Sequence, residues 1–412
     1  MVDFQLTTTQ KQVKEFAHQF ALNVMRPISL EADRAHTAPQ RFLDNLAELG
    51  KMMSMGGVPE MPQELSGGIE APREKPESGS GKKKTGQRNR MVQIGSEELA
   101  WGDASLLLCM PGPGLGGPPV QFTGTPEQRE RFFGMLQKPG VHFGAYGLTE
   151  PGAGSDVSGI KTTCRKDGGD WVLNGRKCYI TNGARADWVV IFATIDQKLG
   201  RAGHRAFVVE KGTPGFFVGK IEEKMGLRAS ETAELVLEDC RVPGENLLGG
   251  EAHYHGKEGF MTAMKTFDSS RPMVGIMAVG IARAAWETAS AWVQREYKLA
   301  RHTPRYAQLA TLLAEDARLL DAARLMCWRA AWMADEGLPN AKEASMAKAY
   351  AARASTKICG DAVQILGAHG AEPQQLVEKW YRDIKVFDIF EGTGQIQRIV
   401  ISKRILREAP SF

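Results

Sequence analysis

The sequence lacks long apolar runs, a strong charge imbalance and paired cysteines. No hydrophobic run in the 412 residues approaches the roughly 20 residues that a helix needs to cross a bilayer. A formal net charge of only +4 gives no general attraction to nucleic acid or to a membrane surface. None of the cysteines belongs to a Cys-x-x-Cys pair or has a histidine at metal-ligand spacing. We therefore expect no membrane span, no nucleic-acid partner and no bound metal, and we interpret six cysteines as reduced packing residues: Cys109, Cys164, Cys178, Cys240, Cys327 and Cys359.

The composition that is present is that of a globular protein. With 42% hydrophobic and 24% charged residues, a chain of this length can bury a sizeable core and divides into two or three domains. The first residues, Met1 to Phe4, show neither a signal peptide nor an Arg-rich transit segment. The simplest expectation is the cytoplasm of a bacterium.

Helical periodicity opens the chain and predicts a helical domain over residues 1–141. We expect a first helix capped by Thr9 and ended by Pro27, and a second from Pro39 to a C-terminal cap at Gly50. Residues 65–90 then become rich in Gly, Ser, Pro, Lys and Arg, without an aromatic residue. This composition predicts a mobile basic loop. Its charges favour a solvated surface over a phosphate site.

The pattern changes twice after residue 141. Over residues 142–257 it has period two, β-branched residues and Gly-containing turns without intervening helices, which predicts an antiparallel β domain. Over residues 258–412 helical periodicity returns and predicts a four-helix bundle. Within the first domain, residues 112–117 match G-x-G-x-x-G. Because Pro118 and Pro119 should block a helix and no βαβ unit follows, we reject a dinucleotide-binding fingerprint.

One carboxylate, Glu391, lies between an aromatic residue and Gly-Thr in a largely apolar segment. A carboxylate shielded from water has a raised pKa, so it can remove a weakly acidic C–H proton. The alternative is an ordinary glutamate at a helix start, where its charge meets the first-turn N–H groups.

Two further segments suit a flat heterocycle that carries phosphates. Residues 146–156 form a Gly-rich bend with the hydroxyls of Thr149 and Ser155. Residues 178–183 place Tyr179 and Thr181 on one face of a strand, ready to stack on and hydrogen-bond to a ring. The alternatives are a plain turn in the first segment and a core tyrosine in the second.

Taken in order, six motifs resemble the acyl-CoA dehydrogenase family of flavoproteins, over nearly the whole chain outside 61–90. They are Thr-Glu-Pro-Gly-Ala-Gly-Ser-Asp at 149–156, Tyr-Ile-Thr-Asn-Gly at 179–183, Gly-Leu-Arg-x-Ser-x-Thr at 226–232, Phe-Asp-Ser-Ser-Arg-Pro at 267–272, Gln-Ile-Leu-Gly-Ala-His-Gly at 364–370 and Phe-Glu-Gly-Thr-x-Gln-Ile-Gln at 390–397. The C-terminal half most resembles the medium-chain, straight-chain branch. The resemblance implies a mostly helical α+β fold: an N-terminal helical domain, a central antiparallel β domain and a C-terminal four-helix bundle.

The resemblance also implies a reaction. Glu391 would remove the α-proton of an acyl-CoA thioester while a hydride leaves the β-carbon for N5 of FAD, giving the trans-2-enoyl-CoA of fatty acid β-oxidation. Electrons would then pass to an electron-transfer flavoprotein. A homotetramer, built as a dimer of dimers, is implied as well.

The implied site residues fall into two groups. Those near FAD are Tyr146, Leu148, Thr149, Gly154, Ser155, Tyr179, Ile180, Thr181, Gln308, Gln364, Ile365, Leu366, Gly367, Thr393 and Gln395, of which Gln308 and the 364–367 turn would reach the FAD of a neighbouring subunit. Those near the substrate are Ser155, Asp268, Arg271, Phe390, Glu391 and Gly392.

The chain departs from the family pattern in the segment where an arginine should meet the FAD pyrophosphate. Either Arg295 or Arg301 can fill that role. Two other functions stay open on the same fold: an oxidase or monooxygenase that uses O2, and a non-catalytic acyl-CoA-binding scaffold subunit. Glu391 argues against the scaffold, which would not keep the base, and against a monooxygenase, which does not need a carboxylate poised for α-proton removal.

Overall fold

The computed structural model describes residues 4–54 and 87–408. Most of the basic loop predicted at 65–90 therefore lies outside the described residues. Its described end is not a loop, because helix α4 begins at Arg88. There Arg90 is almost fully buried, and its guanidinium lies 4.9 Å from the ring centre of Trp328. No helix in the described ranges is both long and apolar enough to cross a membrane.

The N-terminal part consists of helices α1 (Thr8–Phe20), α2 (Ser29–Ala35), α3 (Gln40–Ser54), α4 (Arg88–Leu107), α5 (Gly117–Thr123) and α6 (Pro126–Leu136). The predicted cap at Thr9 is wrong by two residues. Thr7 caps α1 because its hydroxyl accepts the Gln10 N–H while the Gln10 side chain accepts the Thr7 N–H. The predicted cap at Gly50 is also wrong, since α3 continues to Ser54.

The Gly-rich run at 112–117 packs against the β domain, and no βαβ unit follows it in the described chain. A side chain on Gly116 would come within 2.5 Å of the Ala145 carbonyl oxygen, so glycine permits this close approach. Pro118 and Pro119 do not block a helix, however. They lie in the first turn of α5, where a missing N–H has no cost.

The central sheet contains strands β1 (Gly144–Gly147), β2 (Thr163–Asp167), β3 (Asp170–Thr181), β4 (Trp188–Thr194), β5 (His204–Glu210), β6 (Phe216–Ile221) and β7 (Thr232–Pro243). Its order is β1-β4-β2-β3-β7-β6, with β5 also paired to β4. Most pairs are antiparallel, as predicted, but β1 and β2 each pair with β4 in parallel. Strand β3 is long because it pairs with both β2 and β7.

The C-terminal part contains α7 (Glu258–Glu296), α8 (Pro304–Asp335), α9 (Ala341–Leu366), α10 (Leu376–Ile384) and α11 (Gly394–Glu408). Helix α9 contacts α7, α8 and α11, which confirms the predicted helical bundle. Helix α4 also packs on α7, so the N-terminal and C-terminal helices share one core. The short helix α10 was not predicted. The domain boundaries at 141 and 257 stay predictions.

All six cysteines are buried without a disulfide, as expected. Burial raises the pKa of Cys109, Cys164 and Cys240 to about 12, so these thiols stay protonated and unreactive near neutral pH.

Candidate active site

The candidate base lies in a sharp bend between α10 and α11. Glu391 has φ 54° and Gly392 has φ 92°, so two successive residues take the left-handed region. A non-glycine residue held there costs about 1–3 kcal/mol and is found mainly where function requires it. A side chain at Gly392 would be strained at this φ, and its Cβ would also come within 2.5 Å of the Gln397 side-chain nitrogen.

The Glu391 carboxylate faces helices α7 and α9. Its Oε2 atom is buried and has no hydrogen-bond partner within the described ranges. Removal from water is the largest influence on this group and raises its pKa above the ordinary glutamate value. The nearby Ser270 hydroxyl and the charges of Lys348 and Arg271 lower the pKa, but they offset only part of the burial effect. The site thus holds a carboxylate with enhanced basicity.

Tyr146, on β1, lies near this carboxylate. Its ring packs 5.2 Å from the ring of Phe192 and 5.9 Å from that of Phe267, measured between centroids. Burial and the nearby charge of Glu391 raise the pKa of the phenol, while the Thr266 hydroxyl lowers it. Strand β1, helix α7 and the 391 bend therefore meet around one carboxylate, with Tyr146 as a neutral phenol beside it.

The bend after β1 is tied to β3 by backbone and side-chain contacts. The Cys178 N–H donates to the Thr149 carbonyl at 2.9 Å. Beneath this contact the buried Lys177 ammonium donates to Glu150 Oε1 at 2.7 Å and to the Leu148 carbonyl at 3.2 Å. The two segments predicted to line a flat heterocycle are thus brought together by an internal ion pair.

Tyr179 is the most unusual surface residue of this region. Its side chain is 66% exposed, and its φ of 58° places it in the left-handed region within a strand. Thr181 is exposed on the same face, while Ile180 between them is buried. The core-tyrosine alternative is therefore wrong. An exposed ring held in a strained conformation beside a hydroxyl fits a ligand with a flat ring system, such as a flavin.

Other predicted FAD residues differ in what they can offer. Gly154 and Ser155 are exposed, and so is Gln395, whereas Thr393 is half-buried. The side chains of four residues lie in the core, so only their backbones can face a ligand: Leu148, Ile180, Ile365 and Leu366.

Two predicted regions take no part in the contacts around Glu391. Gln308 is exposed on α8, and Gln364 and Gly367 are exposed at the end of α9. Near that end, the Trp292 ring lies 5.1 Å from the ring of His369, and Arg295 lies over Trp292 at 4.8 Å. Arg295 therefore reaches the neighbourhood of the 364–367 turn.

The predicted substrate residues are only partly described. Arg271 is buried in α7 beside Glu391, and Phe390 packs edge-on against Phe387 at 5.1 Å. Asp268 belongs to α7, but its side chain lies outside the described residues. Within the described ranges, no group of three or more His, Cys, Asp or Glu residues can hold a metal ion.

Two residues of the site were missed from the sequence. Lys348 is fully buried on α9 and donates to the Gly392 carbonyl at 2.7 Å. Gln397 is fully buried on α11 and donates to the carbonyls of Glu391 and Gly392 at 3.2 and 3.0 Å. The sequence does contain a sign of Lys348, because a lysine among alanines on the core-facing side of a helix is unusual.

The fold and the site together define an enzyme class in which a helical bundle and a β domain meet around a basic carboxylate. Residues 145–240 match the acyl-CoA dehydrogenase middle domain and residues 257–406 match the acyl-CoA dehydrogenase C-terminal domain. The chain belongs to the acyl-CoA dehydrogenase family, which confirms the resemblance, the fold class and an oxidoreductase of this type.

Three similar proteins show how far this likeness extends. Acryloyl-CoA reductase (NADH) of Anaerotignum propionicum is 37% identical over 98% of this chain and 96% of its own length. Butyryl-CoA dehydrogenase from Megasphaera elsdenii is 33% identical, with a TM-score of 0.83 over 98% of this chain and all of its own. A structure described as the electron transferring flavoprotein of Acidaminococcus fermentans contains a chain that is 35% identical, with a TM-score of 0.83 over 98% of this chain and all of that one.

Proposed function

We propose that this protein catalyses the FAD-dependent α,β-dehydrogenation of an acyl-CoA thioester to the trans-2-enoyl-CoA. One observation carries the proposal: the Glu391 carboxylate has a buried oxygen without a partner in the described structure and a raised pKa, and it is held in a strained bend. A group of this kind suits abstraction of an α-proton, which a thioester carbonyl acidifies.

The chain's own residues have distinct roles in this proposal. Glu391 takes the α-proton, and Arg271 and Lys348 stabilise its charged form. Tyr179 stacks on the flavin ring, while the hydroxyls of Thr149, Ser155 and Thr181 hydrogen-bond to the cofactor from the β domain. Bound FAD supplies the acceptor for the hydride that leaves the β-carbon.

We propose a short acyl chain as the substrate. Two of the similar proteins bear the names of three-carbon and four-carbon acyl groups, acryloyl-CoA and butyryl-CoA. These names favour an acyl chain shorter than the substrates of the medium-chain branch, which the C-terminal half of the sequence resembles. The reaction would belong to fatty acid β-oxidation.

We propose an electron-transfer flavoprotein as the partner that reoxidises the enzyme, on the likeness to a chain in the Acidaminococcus structure. We also propose a homotetramer built as a dimer of dimers. The exposed positions of Gln308, Gln364 and Gly367, away from the contacts around Glu391, are consistent with contacts to the FAD of a neighbouring subunit. Arg295 and Arg301 remain the alternatives for its phosphates.

Anaerobic flavin bleaching tests the reaction. The purified protein should be yellow with about one FAD per chain, and propionyl-CoA or butyryl-CoA should bleach it faster than hexanoyl-CoA or octanoyl-CoA. Glu391→Gln should bind butyryl-CoA normally but reduce flavin about 10²–10⁴-fold more slowly, as is typical when a general base is lost. Flavin reduction at the wild-type rate in this variant would contradict the proposal.

A second function is favoured by the acryloyl-CoA reductase relative, namely reduction of a short 2-enoyl-CoA with NADH. The same carboxylate, once protonated, would return a proton to the α-carbon. Oxidation of NADH by acryloyl-CoA in the presence of the electron-transfer flavoprotein, without butyryl-CoA bleaching, would favour this direction. Rapid reoxidation of the bleached flavin by O2 alone would favour an oxidase.

A further inference from the structure

A buried cation and a buried amide hold the backbone of the bend that carries the candidate base. The Lys348 ammonium donates to the Gly392 carbonyl at 2.7 Å. The Gln397 amide donates to the same carbonyl at 3.0 Å and to the Glu391 carbonyl at 3.2 Å. Two side chains from two helices, α9 and α11, therefore fix both carbonyls of a strained segment two residues long.

This arrangement is poorly explained by stability alone. Lys348 is 0% exposed, and no carboxylate forms an ion pair with it in the part of the chain that the structure describes. The other fully buried lysines, Lys177 and Lys379, each contact a carboxylate directly. Burial of an ammonium without a close counter-ion costs folding free energy, so an apolar residue of similar size would be tolerated here.

The charged groups around Lys348 come from three elements. Arg271 on α7 repels its charge, whereas Asp388, in the turn Lys385–Asp388, and Glu391 attract it. Burial outweighs these attractions and lowers the pKa of Lys348 to about 8. Near neutral pH the side chain is thus mainly a cation, and its charge stabilises the ionised form of Glu391.

We propose that Lys348 and Gln397 are positioning residues for the base: they clamp the Glu391–Gly392 carbonyls so that the carboxylate faces the substrate, and Lys348 also favours the ionised carboxylate. This inference rests on the proposed function, since it assigns a purpose to the orientation of Glu391. It adds two residues, neither of which contacts the reacting atoms.

Exchange of the substrate α-proton with D2O provides the test, because exchange reports the base without requiring hydride transfer. The holoenzyme is incubated with 3-thiabutyryl-CoA, whose sulfur at position 3 blocks hydride loss, and deuterium uptake is followed by mass spectrometry across pH. The variants are Lys348→Met and Lys348→Gln, of similar size but differing in a hydrogen-bond donor. Lys357→Met is the control, because Lys357 lies on the same helix and pairs with Asp316 and Asp361, away from the bend.

We expect Lys348→Met to slow exchange at least tenfold at neutral pH and to shift the pH profile upwards by about one unit, because an opposite charge has been removed from beside a carboxylate. Lys348→Gln should recover part of the rate, since it restores a donor, but should keep the shifted profile. Gln397→Met should slow exchange without shifting the profile. Lys357→Met should resemble the wild type in both respects.

Thermal unfolding separates positioning from fold maintenance. The melting temperature of Lys348→Met should equal or exceed that of the wild type near pH 7, because a buried charge has been removed. If Lys348→Met does not fold, Lys348→Gln carries the same comparison of rate and profile. A wild-type rate and profile in both Lys348 variants would overturn the inference, as would a loss of exchange that only tracks the melting temperature.

Failure of this inference and failure of the proposed function give different results in the exchange experiment. If wild-type enzyme exchanges the α-proton and Glu391→Gln does not, the base assignment stands whatever the Lys348 variants do. If wild type and Glu391→Gln exchange equally, the proposed function itself fails.

Discussion

Lys177 and Glu150 form a buried ion pair, with 2.7 Å between Nζ and Oε1, that joins β3 to the bend after β1. Glu150 also accepts the backbone N–H groups of Lys161 and Thr162. Because these contacts surround one carboxylate, the pair fixes the relative position of the segments that carry Thr149 and Tyr179.

Breaking this pair should destabilise the protein strongly. Lys177→Met leaves Glu150 buried without its cation, which typically costs roughly 3–5 kcal/mol. The measurement is urea-induced unfolding, together with FAD content. Lys177→Met combined with Glu150→Gln should recover much of the lost stability. Lys166→Met is the control, because its ion pair with Glu251 is solvent-exposed and should contribute little. Equal losses from both single variants would contradict the prediction.

The raised pKa of Glu391 predicts opposite effects on rate and stability. The folded state binds a proton at Glu391 more readily than the unfolded state, so the stability this group contributes is present at low pH and is lost as pH rises through its folded pKa. Glu391→Gln should therefore melt at a higher temperature than the wild type near pH 7. The difference should shrink as pH falls to about 4. Calorimetry across this range checks it.

The wild-type rate should follow the opposite trend over the same interval. Flavin reduction by butyryl-CoA requires the ionised carboxylate, so it should increase with pH through a pKa above the ordinary glutamate value. Stopped-flow absorbance measures this rate. A rate that is flat from pH 5 to 8, or one that falls, would contradict an ionised Glu391 as the base.

Ser270 offers a second position for a base, since its hydroxyl lies within hydrogen-bonding reach of the Glu391 carboxylate. Ser270→Glu in a Glu391→Gly background should therefore restore part of the flavin reduction lost in Glu391→Gly alone. Thr266→Glu, one turn away on α7, serves as the matched control and should restore less. Failure of Ser270→Glu, with FAD still bound, would show that a carboxylate at 270 does not reach the substrate.

We expect Tyr179 to favour FAD binding at the expense of the stability of the FAD-free protein. Tyr179→Asn removes the exposed ring and places in the left-handed region a residue that tolerates it, so the melting temperature of the FAD-free protein should stay level or rise. Affinity for FAD should fall, as measured by the quenching of flavin fluorescence. Tyr381→Asn, at another exposed tyrosine, should leave the affinity unchanged.

The sequence predicted those parts of the molecule that depend on local pattern. Helical periodicity located the bundle, period-two alternation located the strands, and the setting of Glu391 indicated a shielded carboxylate. Parallel pairing of β1 with β4 was missed, because it depends on how the chain crosses the sheet. The cap of α1 was also missed. Thr7 and Thr9 each have a glutamine three residues later, so the sequence does not show which of the two hydroxyls caps the helix.

Lys348 could not be assigned a partner from the sequence. Its acceptor, the Gly392 carbonyl, is 44 residues further along the chain and belongs to the backbone, which carries no sequence signal. The same holds for Tyr146, whose relation to Glu391 arises only when the β domain packs on α7. Apart from the short helix α10 and the cap positions, what was not predicted depends on contacts between distant elements.

The left-handed conformation of Glu391 has a consequence for how this position changes in evolution. Glycine or asparagine would relieve the backbone strain there, so a glutamate persists only while selection acts on proton abstraction. Where a descendant of this chain has moved its base elsewhere or has abandoned the chemistry, residue 391 should drift to a small or left-handed-tolerant residue. The neighbouring Gly392, constrained by the Gln397 side chain, should change more slowly.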